Sequence, residues 1–302
     1  MERDKLGFLL GLVGVMCFSL TLPATSIAVA YFGTTVVGLG RTVIAAIIVA
    51  IILIVRKEKL PSIRQFKSIL LVALGAVLGF PLLTSWGMEY LPVSHGAVEV
   101  ALLPLATAGF AMLRAGEQPS LKYWISSMTG SCAVIVYALI LGFGQLHFAD
   151  LALLAAVMLL GFSYAEGGRL AKELGSWQVI AWAILIAAPF FIIPVGLNFT
   201  QDMIHAPMKA WLSLLYLGVI SQFLAYIAWY SGMSLGGIAR VSQIQYLQPF
   251  LMIIFAAIFL NEAISLITIG IAIIVLLSVI VGKNATVTKK GNTTMLGYKD
   301  KS

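Results

Sequence analysis

Four ionisable residues lie inside long apolar stretches of the sequence, namely Arg41, Glu99, Glu166 and Arg240. A charged side chain near the middle of a lipid-buried helix costs about 2.5 to 3.5 kcal/mol on insertion scales, so such residues usually pair with one another or face a cavity. A guanidinium and carboxylates in apolar surroundings are suited to binding a zwitterionic solute or to carrying protons. These four residues are therefore the first candidates for chemistry.

Arg41 and Glu99 are predicted at a similar depth. Counted from the same membrane surface, each lies about six or seven residues into its helix, which is roughly 10 Å at 1.5 Å per residue. We predict that the two side chains face a common cavity, pair when it is empty, and exchange partners with a zwitterionic substrate or a proton. The alternatives are a static structural ion pair, or an arginine that reaches the lipid head groups.

Glu166 and Arg240 are candidates for a gate at the opposite surface. Glu166 also lies three residues before Arg169, and residues with this spacing share one face of a helix. A local, solvated pair of Glu166 with Arg169 is the interpretation that we favour over the gate.

Glu117 and Glu262 fall at helix ends just before a new helix begins, where a carboxylate caps the next N-terminus.

Amides and a tyrosine gather just before Pro249. Gln245 and Gln248 are three residues apart and share a helix face. We predict that these two residues and Tyr246 line a pathway, with interhelical hydrogen bonding as the alternative. Four aromatic residues are candidate walls around an apolar part of a substrate, although each also fits a core position or the interfacial aromatic belt: Trp86, Tyr164, Trp182 and Trp229.

The elements that position these residues must be membrane helices. Of the 302 residues, 61% are hydrophobic and 10% are charged, and the mean hydropathy is +1.02, whereas soluble domains carry about 25% charged residues. This composition excludes soluble, fibrous, disulfide-framework and nucleic-acid-binding proteins. Hydropathy predicts ten helices, called spans 1 to 10 here, at residues 6–28, 34–55, 67–90, 93–113, 122–141, 149–170, 176–197, 209–231, 238–260 and 264–282.

Basic residues indicate the orientation of the chain. With a cytoplasmic N-terminus, 17 of the 19 Lys and Arg residues fall on the cytoplasmic side, the exceptions being Arg41 and Lys209. The positive-inside rule therefore predicts that both termini are cytoplasmic, in the cytoplasmic membrane of a cell. Residues 283–302 are polar and are predicted to form a disordered cytoplasmic tail. Residues 28–30 resemble a signal-peptide cleavage site, but span 1 is longer than a typical signal core.

The chain repeats itself. A shift of 145 residues superposes Pro104 on Pro249 and Glu117 on Glu262 without a gap. Shifts of 143 to 145 residues also superpose Phe18 on Phe162, Gly75 on Gly218, Trp86 on Trp229 and Gly87 on Gly232. We predict two five-helix repeats, residues 6–141 and 149–282.

Five is an odd number, so the second repeat must cross the membrane in the opposite sense to the first. Inverted repeats allow a secondary transporter to expose one central site alternately to each side. Pro104 and Pro249 interrupt spans 4 and 9 at equivalent positions, and we predict that they act as hinges. The alternative is the ordinary tolerance of membrane helices for proline.

These features resemble the EamA-type carriers of the drug/metabolite transporter superfamily, over residues 6–141 and 149–282. The resemblance rests on a mid-helix proline, Gly-Glu or Asn-Glu at the helix end and Ser-Leu opening the next helix, in residues 104–121 and 249–266. Arg41 is also similar to the arginine that the family has at that place. The resemblance implies a ten-helix carrier and, as a default, export of amino acids or related metabolites.

Two departures limit this resemblance. Trp182 or Ala183 stands where Arg41 would repeat, and Glu99 is not part of the general pattern of the family. The resemblance therefore implies neither the substrate nor the coupling ion.

Other classes of function lack their motifs. The sequence contains no zinc-protease motif, no catalytic triad at matched depth, no channel filter and no ATP-binding motif, so an enzyme or a channel is disfavoured. His95, His147 and His205 show no ligand spacing, and we predict no metal site and no cofactor.

We predict a carrier that exports a small metabolite, most simply an amino acid or related zwitterion, driven by the gradient of that metabolite or by protons. A nucleotide sugar or another anion would require several deep basic residues, whereas only Arg41 is deep. Multidrug or anionic-metabolite transport by the same fold remains the alternative. Besides the lipid bilayer and the substrate no partner is required, and a monomer suffices.

Overall fold

The computed structural model describes residues 2–140 and 148–260, together with residues 266–267, 270, 273–274, 277–278 and 287–289. Most of span 10 and most of the predicted tail lie outside the described residues. The described part is almost entirely helical. Its thirteen α-helices are α1 (Glu2–Ser19), α2 (Thr21–Arg56), α3 (Ile63–Val72), α4 (Phe80–Tyr90), α5 (Val93–Val100), α6 (Leu103–Ala115), α7 (Leu121–Ile140), α8 (Phe148–Leu174), α9 (Ser176–Asn198), α10 (Met208–Leu215), α11 (Ala225–Gly236), α12 (Ile238–Ser242) and α13 (Gln248–Leu260).

Two π-helical segments and two 3-10 segments complete the helical runs. The π segment Ala73–Gly79 joins α3 to α4, and the π segment Tyr216–Leu224 joins α10 to α11. A 3-10 turn at Gln201–His205 precedes α10, and another at Gln243–Leu247 joins α12 to α13. Six of the described helical runs are long and apolar enough to cross a membrane: Glu2–Arg56, Ile63–Tyr90, Phe148–Leu174, Ser176–Asn198, Met208–Gly236 and Ile238–Leu260.

The chain is an all-α multi-pass membrane protein. Large apolar side chains cover its outer surface, as Ile54, Leu113 and Leu197 show with 75%, 78% and 81% of their surface exposed. Such a surface would cause aggregation in water but suits lipid. Short strands β1 (Glu117–Pro119) and β2 (Val287–Lys289) pair antiparallel. Strand β2 lies within residues 283–302, the predicted tail, most of which is outside the described residues.

Helix α2 turns back on itself at Gly33. A straight helix of its 36 residues would be about 54 Å long, well beyond the roughly 30 Å of a hydrocarbon core. Gly33 adopts φ 68° and ψ 168°, a conformation that glycine reaches readily because it lacks Cβ. Thr21 and Arg41, on either side of this turn, lie 2.8 Å and 2.7 Å from the same Ser221 Oγ. The two arms of α2 correspond to the end of span 1 and to span 2.

Glycines bring α1 and α11 into direct backbone contact. A Cβ atom built on Gly7 would lie 2.7 Å from the backbone nitrogen of Gly236, and one on Gly232 would lie 2.8 Å from the nitrogen of Gly11. Small residues are what allows membrane helices to approach this closely, and dispersion contacts then hold the helices together. We call this contact the glycine seam.

Two clusters of charged residues mark opposite ends of the bundle. Near the start of α8, Asp150 lies 2.6 Å from His95 at the start of α5, and near its other end Glu166 lies 2.8 Å from Arg114 at the end of α6. Residues 150 and 166 are separated by about 24 Å along the helix. We call these the Asp150 end and the Glu166 end.

Candidate functional site

A narrow cavity lies inside the bundle between the two ends. Its free volume is about 10 Å³, which is close to the space of one water molecule. Both halves of the sequence contribute to the wall. The lining residues are Phe18, Thr21, Arg41, Phe80, Leu160, Tyr164, Ser221, Tyr226 and Gln248.

Arg41 is the charged group of this cavity. It is 2% exposed, and its Nη2 donates a hydrogen bond of 2.7 Å to Ser221 Oγ. Its Nε and Nη1 have no hydrogen-bond partner within the described residues, and the described ion pairs do not include Arg41. A buried guanidinium with unused donors is rare in native structures. It is suited to receive a carboxylate, since its planar fork binds one with two parallel hydrogen bonds.

Aromatic rings form one side of the cavity and continue behind it. The ring centroids of Phe18 and Tyr226 are 5.0 Å apart, and those of Tyr164 and Trp229 are 5.4 Å apart. Trp229 is completely buried, and its Nε1 has no hydrogen-bond partner among the described residues. The structure thus places Tyr164 in the wall and Trp229 directly behind it.

The other two candidate walls lie elsewhere. Trp86 is half-buried and packs against Tyr90 at a centroid distance of 5.4 Å, close to the end of α4. Trp182 is buried within α9, and it is not among the residues that line the cavity. Sequence position alone gives no indication of which aromatic residues meet around Arg41.

The polar cluster before Pro249 divides between two environments. Gln248 lines the cavity, and its Oε1 is buried without a hydrogen-bond partner in the described chain. Tyr246 instead faces α7, where its hydroxyl donates a hydrogen bond of 2.9 Å to the Ser127 carbonyl. Both amide atoms of Gln245 are buried, and no described group bonds to them.

The predicted pairing of Arg41 with Glu99 is not present. Both residues belong to the described part of the chain, and no ion pair joins them. Arg41 is held by Ser221, and Glu99 Oε1 lies 3.6 Å from His95 Nε2, one helical turn earlier on α5. The prediction is wrong on this point because depth places residues at one level without specifying the direction of their side chains.

The predicted gate between Glu166 and Arg240 is also not formed. Glu166 is completely buried and accepts hydrogen bonds of 2.8 Å from Arg114 Nε and 2.7 Å from Arg169 Nη2. Arg240 lies 3.7 Å from Asp4. The favoured alternative, a pair of Glu166 with Arg169, is present, but Arg114 makes it a buried bridge between α6 and α8. Arg114 is 52 residues away in sequence, so no local pattern points to it.

Glu117 caps a helix other than the predicted one. Its Oε1 accepts a hydrogen bond of 2.9 Å from the backbone N–H of Ile238, and its Oε2 accepts one of 2.8 Å from Ala239. These donors open α12, not α7, which follows Glu117 in sequence. Glu262, its equivalent in the second predicted repeat, lies outside the described residues.

Both candidate hinges follow a break in a helix. Pro104 is the second residue of α6, after the turn that ends α5, and Pro249 is the second residue of α13, after the 3-10 segment. A proline lacks the N–H that a helix interior requires, which explains why the helix restarts at each position.

Two polar residues of the cavity, Thr21 and Ser221, were not anticipated from the sequence. Ser221 is followed by Gln222, and together they form a polar pair within apolar span 8. This is the same signal that singled out Gln245, so Ser221 could have been found in this way. Thr21 carries no such signal, because it lies near Ser19 and Thr25 and small hydroxyl residues are common in membrane helices.

Comparisons with known proteins agree with this architecture. A model of the EamA-like transporter family matches residues 5–139 and 147–281. The chain is 39% identical over 277 residues to the uncharacterized transporter YdeK of Bacillus subtilis (strain 168), covering 91% of this chain and 96% of that protein. It is 22% identical over 249 residues to a probable terminal-alkyne amino-acid exporter of Streptantibioticus cattleyicolor, covering 82% and 83%.

One solved crystal structure has the same fold. Its TM-score is 0.75 at 18% sequence identity, and the match covers 93% of this chain and 99% of that chain. The two matched segments and the similarity to YdeK together cover nearly all of the sequence. The chain therefore belongs to the EamA-like transporter family of the drug/metabolite transporter superfamily, and it is a transporter rather than an enzyme.

Proposed function

We propose that this transporter exports a small metabolite that carries a carboxylate, an amino acid or a related zwitterion, through the Arg41 cavity. The proposed architecture has ten membrane helices in two inverted repeats, residues 6–141 and 149–282. The proposed mechanism is alternating access, in which the cavity opens to one side of the membrane at a time.

Equivalent irregularities support the inverted repeats. The π segment Ala73–Gly79 and the π segment Tyr216–Leu224 begin 143 residues apart. This is the shift that superposes Gly75 on Gly218. Pro104 and Pro249 each restart a helix at its second residue. Two helical segments of unrelated origin would not be expected to share these π segments and proline positions.

Contacts between helices follow the same symmetry. Helix α1 packs on α11. The counterpart of α1 in the other repeat is α8, and the counterpart of α11 is α4. These two counterparts also pack on each other. The second arm of α2 corresponds to α9, and these two helices pack on each other as expected near a two-fold axis. The cavity lies among these pairs, which fits a site shared by both repeats.

The unused donors of Arg41 are the observation that carries the substrate proposal. Its Nε and Nη1 are buried without partners, and a substrate carboxylate at either edge of the guanidinium would satisfy one of them. Gln248 Oε1 is an unused acceptor on the same cavity and suits a substrate ammonium group. The faces of Tyr164 and Tyr226 can also attract a cation and can contact an apolar side chain.

In the proposed mechanism, the small volume of the cavity corresponds to a closed conformation. About 10 Å³ of free space cannot hold an amino acid, so the cavity must widen before a substrate enters. The breaks before Pro104 and Pro249 are the proposed hinges for this widening. Trp229, behind Tyr164, is proposed to contact the substrate only in the widened state.

A counterflow experiment tests the substrate class. The full-length protein is placed in liposomes loaded with one unlabelled amino acid, and uptake of a panel of labelled amino acids is measured. Matched amines that lack the carboxylate are added as competitors. Competition by the amino acid but not by its amine is expected. Competition by the amine alone would support multidrug transport instead, and competition only by dianionic compounds would support an anionic metabolite.

The name of one relative favours the amino-acid alternative. The relative from Streptantibioticus cattleyicolor is named as an exporter of an amino acid that carries an apolar terminal alkyne. A cavity with one guanidinium and several aromatic rings suits such a molecule. We propose the substrate gradient as the driving force, with proton exchange as the second candidate, and a pH gradient across the same liposomes distinguishes them.

We also propose that both termini are cytoplasmic, that the chain resides in the cytoplasmic membrane, and that it acts as a monomer. Cysteines introduced at Lys57 and at Lys209, in a background without Cys17 and Cys132, test the orientation. A membrane-impermeant thiol reagent added to intact cells should label the cysteine at 209 and not the one at 57. The opposite pattern would overturn the proposed orientation of the chain.

A further inference from the structure

A histidine and two carboxylates meet at the Asp150 end. His95 and Glu99 are one turn apart on α5, and Asp150 is in the first turn of α8. One ligand-type atom of each residue lies within 4.8 Å of those of the other two. His95 Nε2 is 3.6 Å from Glu99 Oε1 and 2.6 Å from Asp150 Oδ1.

The cluster is buried and retains an unused ligand atom. Glu99 is 8% exposed and Asp150 is 3% exposed. Glu99 Oε2 has no hydrogen-bond partner among the described residues. A buried carboxylate oxygen without a donor is costly, and a cation bound between the three side chains would satisfy it.

The composition of the cluster selects the type of cation. Zn²⁺ binds histidine nitrogen and carboxylate oxygen at about 2.0 to 2.2 Å, and three protein ligands leave a fourth position for water. Ligand atoms around such an ion are about 3.4 Å apart, which is close to the present His95–Glu99 distance of 3.6 Å. Asp150 would move away from His95 by less than about 1 Å to match this spacing. Ca²⁺ and Mg²⁺ prefer six or more oxygen ligands, which these three residues do not offer.

We propose that His95, Glu99 and Asp150 form a binding site for one Zn²⁺ ion. The spacing of the histidines in the sequence does not indicate this arrangement, because Asp150 is 55 residues after His95. The site is separate from the Arg41 cavity, since none of its three residues lines that cavity.

The position of the site suggests an effect on transport. Helix α5 belongs to the first proposed repeat and α8 to the second, so one ion would tie the two repeats together at the Asp150 end. This effect rests on the proposed function, whereas binding of the ion does not. Binding and transport are therefore measured separately.

Calorimetric titration of the purified full-length protein with ZnCl₂ tests the site. One Zn²⁺ per chain is expected, without saturable binding of Mg²⁺ under the same conditions. Loss of an outer-shell partner already weakens metal binding by about 10- to 100-fold, so Glu99→Gln and Asp150→Asn should each weaken Zn²⁺ binding by at least that much. His205→Gln, a change at an exposed histidine, should leave it unchanged. Equal binding by the wild type, Glu99→Gln and Asp150→Asn would overturn the proposal.

Cobalt spectroscopy gives a second test that does not depend on the loss of binding. Co²⁺ in the wild-type site should show the visible bands of a four-coordinate ion. The His95→Cys variant should retain the ion and gain a sulfur-to-cobalt charge-transfer band in the near ultraviolet. If no such band appears in a variant that binds Co²⁺, His95 is not a ligand and the proposed site is wrong.

The effect on transport is then measured in liposomes. Added Zn²⁺ should slow counterflow by the wild type several-fold and slow counterflow by Asp150→Asn much less, each compared with the same protein without zinc. Binding without this difference would remove the proposed link between the repeats while the ion site itself stands.

Discussion

Glu117 Oε2 accepts a hydrogen bond of 2.8 Å from the backbone N–H of Ala239, 122 residues further along the chain. The carboxylate is 3% exposed, and its other oxygen accepts from the neighbouring Ile238. The first N–H groups of a helix have no partner within it and carry a partial positive charge. Glu117 therefore joins the segment after α6 to the start of α12 at the Glu166 end.

The first prediction concerns this cap. Glu117→Gln should lower the free energy of unfolding by about 1 to 2 kcal/mol, because a single amide oxygen replaces two anionic acceptors. Thermal unfolding of the purified protein measures the effect. Glu173→Gln is the matched control, because the Glu173 side chain is 43% exposed and exposed ion pairs contribute little. Equal loss in the two variants would show that the cap has no particular role.

The second prediction concerns Glu166 and its two arginines. Glu166→Ala removes the carboxylate that Arg114 and Arg169 share and leaves Arg169 with Glu173 alone. Because both guanidinium groups are partly exposed, the loss should be about 1 to 3 kcal/mol. Arg114→Ala should be milder, because Arg169 still pairs with Glu166 and the Arg114 side chain is 37% exposed. Unfolding of the two variants under identical conditions gives the comparison. A larger effect for Arg114→Ala would contradict the idea that the buried carboxylate organises this cluster.

The third prediction tests the glycine seam. Gly232→Ala places a Cβ atom 2.8 Å from the nitrogen of Gly11 and the oxygen of Gly7, and such overpacking typically costs about 1 to 3 kcal/mol. Gly196→Ala is the control, since a Cβ there would meet no atom within 4 Å. Alanine favours a helix over glycine by about 1 kcal/mol, so this control should be neutral or stabilising. The melting temperature should therefore fall for Gly232→Ala and stay level or rise for Gly196→Ala.

The fourth prediction concerns Arg41. Arg41→Lys keeps the charge but loses the fork of parallel donors, and the KM for a carboxylate-bearing substrate should rise by at least about tenfold, which is a loss of about 1.4 kcal/mol. Ser221→Ala frees Nη2 and should raise KM less. Arg64→Lys, at an exposed position, provides the control. If Arg41→Lys lowered only kcat, Arg41 would serve the conformational change rather than substrate binding.

Hydropathy and charge predicted the helical nature of the chain because both report an average over about twenty residues. Local deviations were not predicted. The turn at Gly33 lies between spans 1 and 2 as expected, but the two π segments share no sequence signal. Ala73–Gly79 is wholly apolar, whereas Tyr216–Leu224 contains the polar pair Ser221 and Gln222. A π segment changes the hydrogen bonding of the backbone without requiring a particular residue, so the composition of a span gives no sign of it.

The residues of the candidate site were predicted unevenly for a related reason. Arg41, Tyr164 and Gln248 were singled out because each is expensive or distinctive in lipid, and the cavity contains all three. The partners of the charged residues were not identified, since Ser221 is 180 residues from Arg41 and Asp150 lies in the other half of the chain from His95. The local sequence shows which polar group is costly to bury in lipid. The partner that stabilises this group is contributed by a helix distant in sequence and is known only once the helices are packed.

The glycine seam constrains how such a protein can move. Helices α1 and α11 come from different proposed repeats, yet their backbones lie so close together that we expect neither to slide without displacing the other. We therefore expect the two helices to move together as one rigid body. The segments that bend during opening must therefore lie elsewhere. The parts of the protein that move as rigid units would then not coincide with its two proposed sequence repeats.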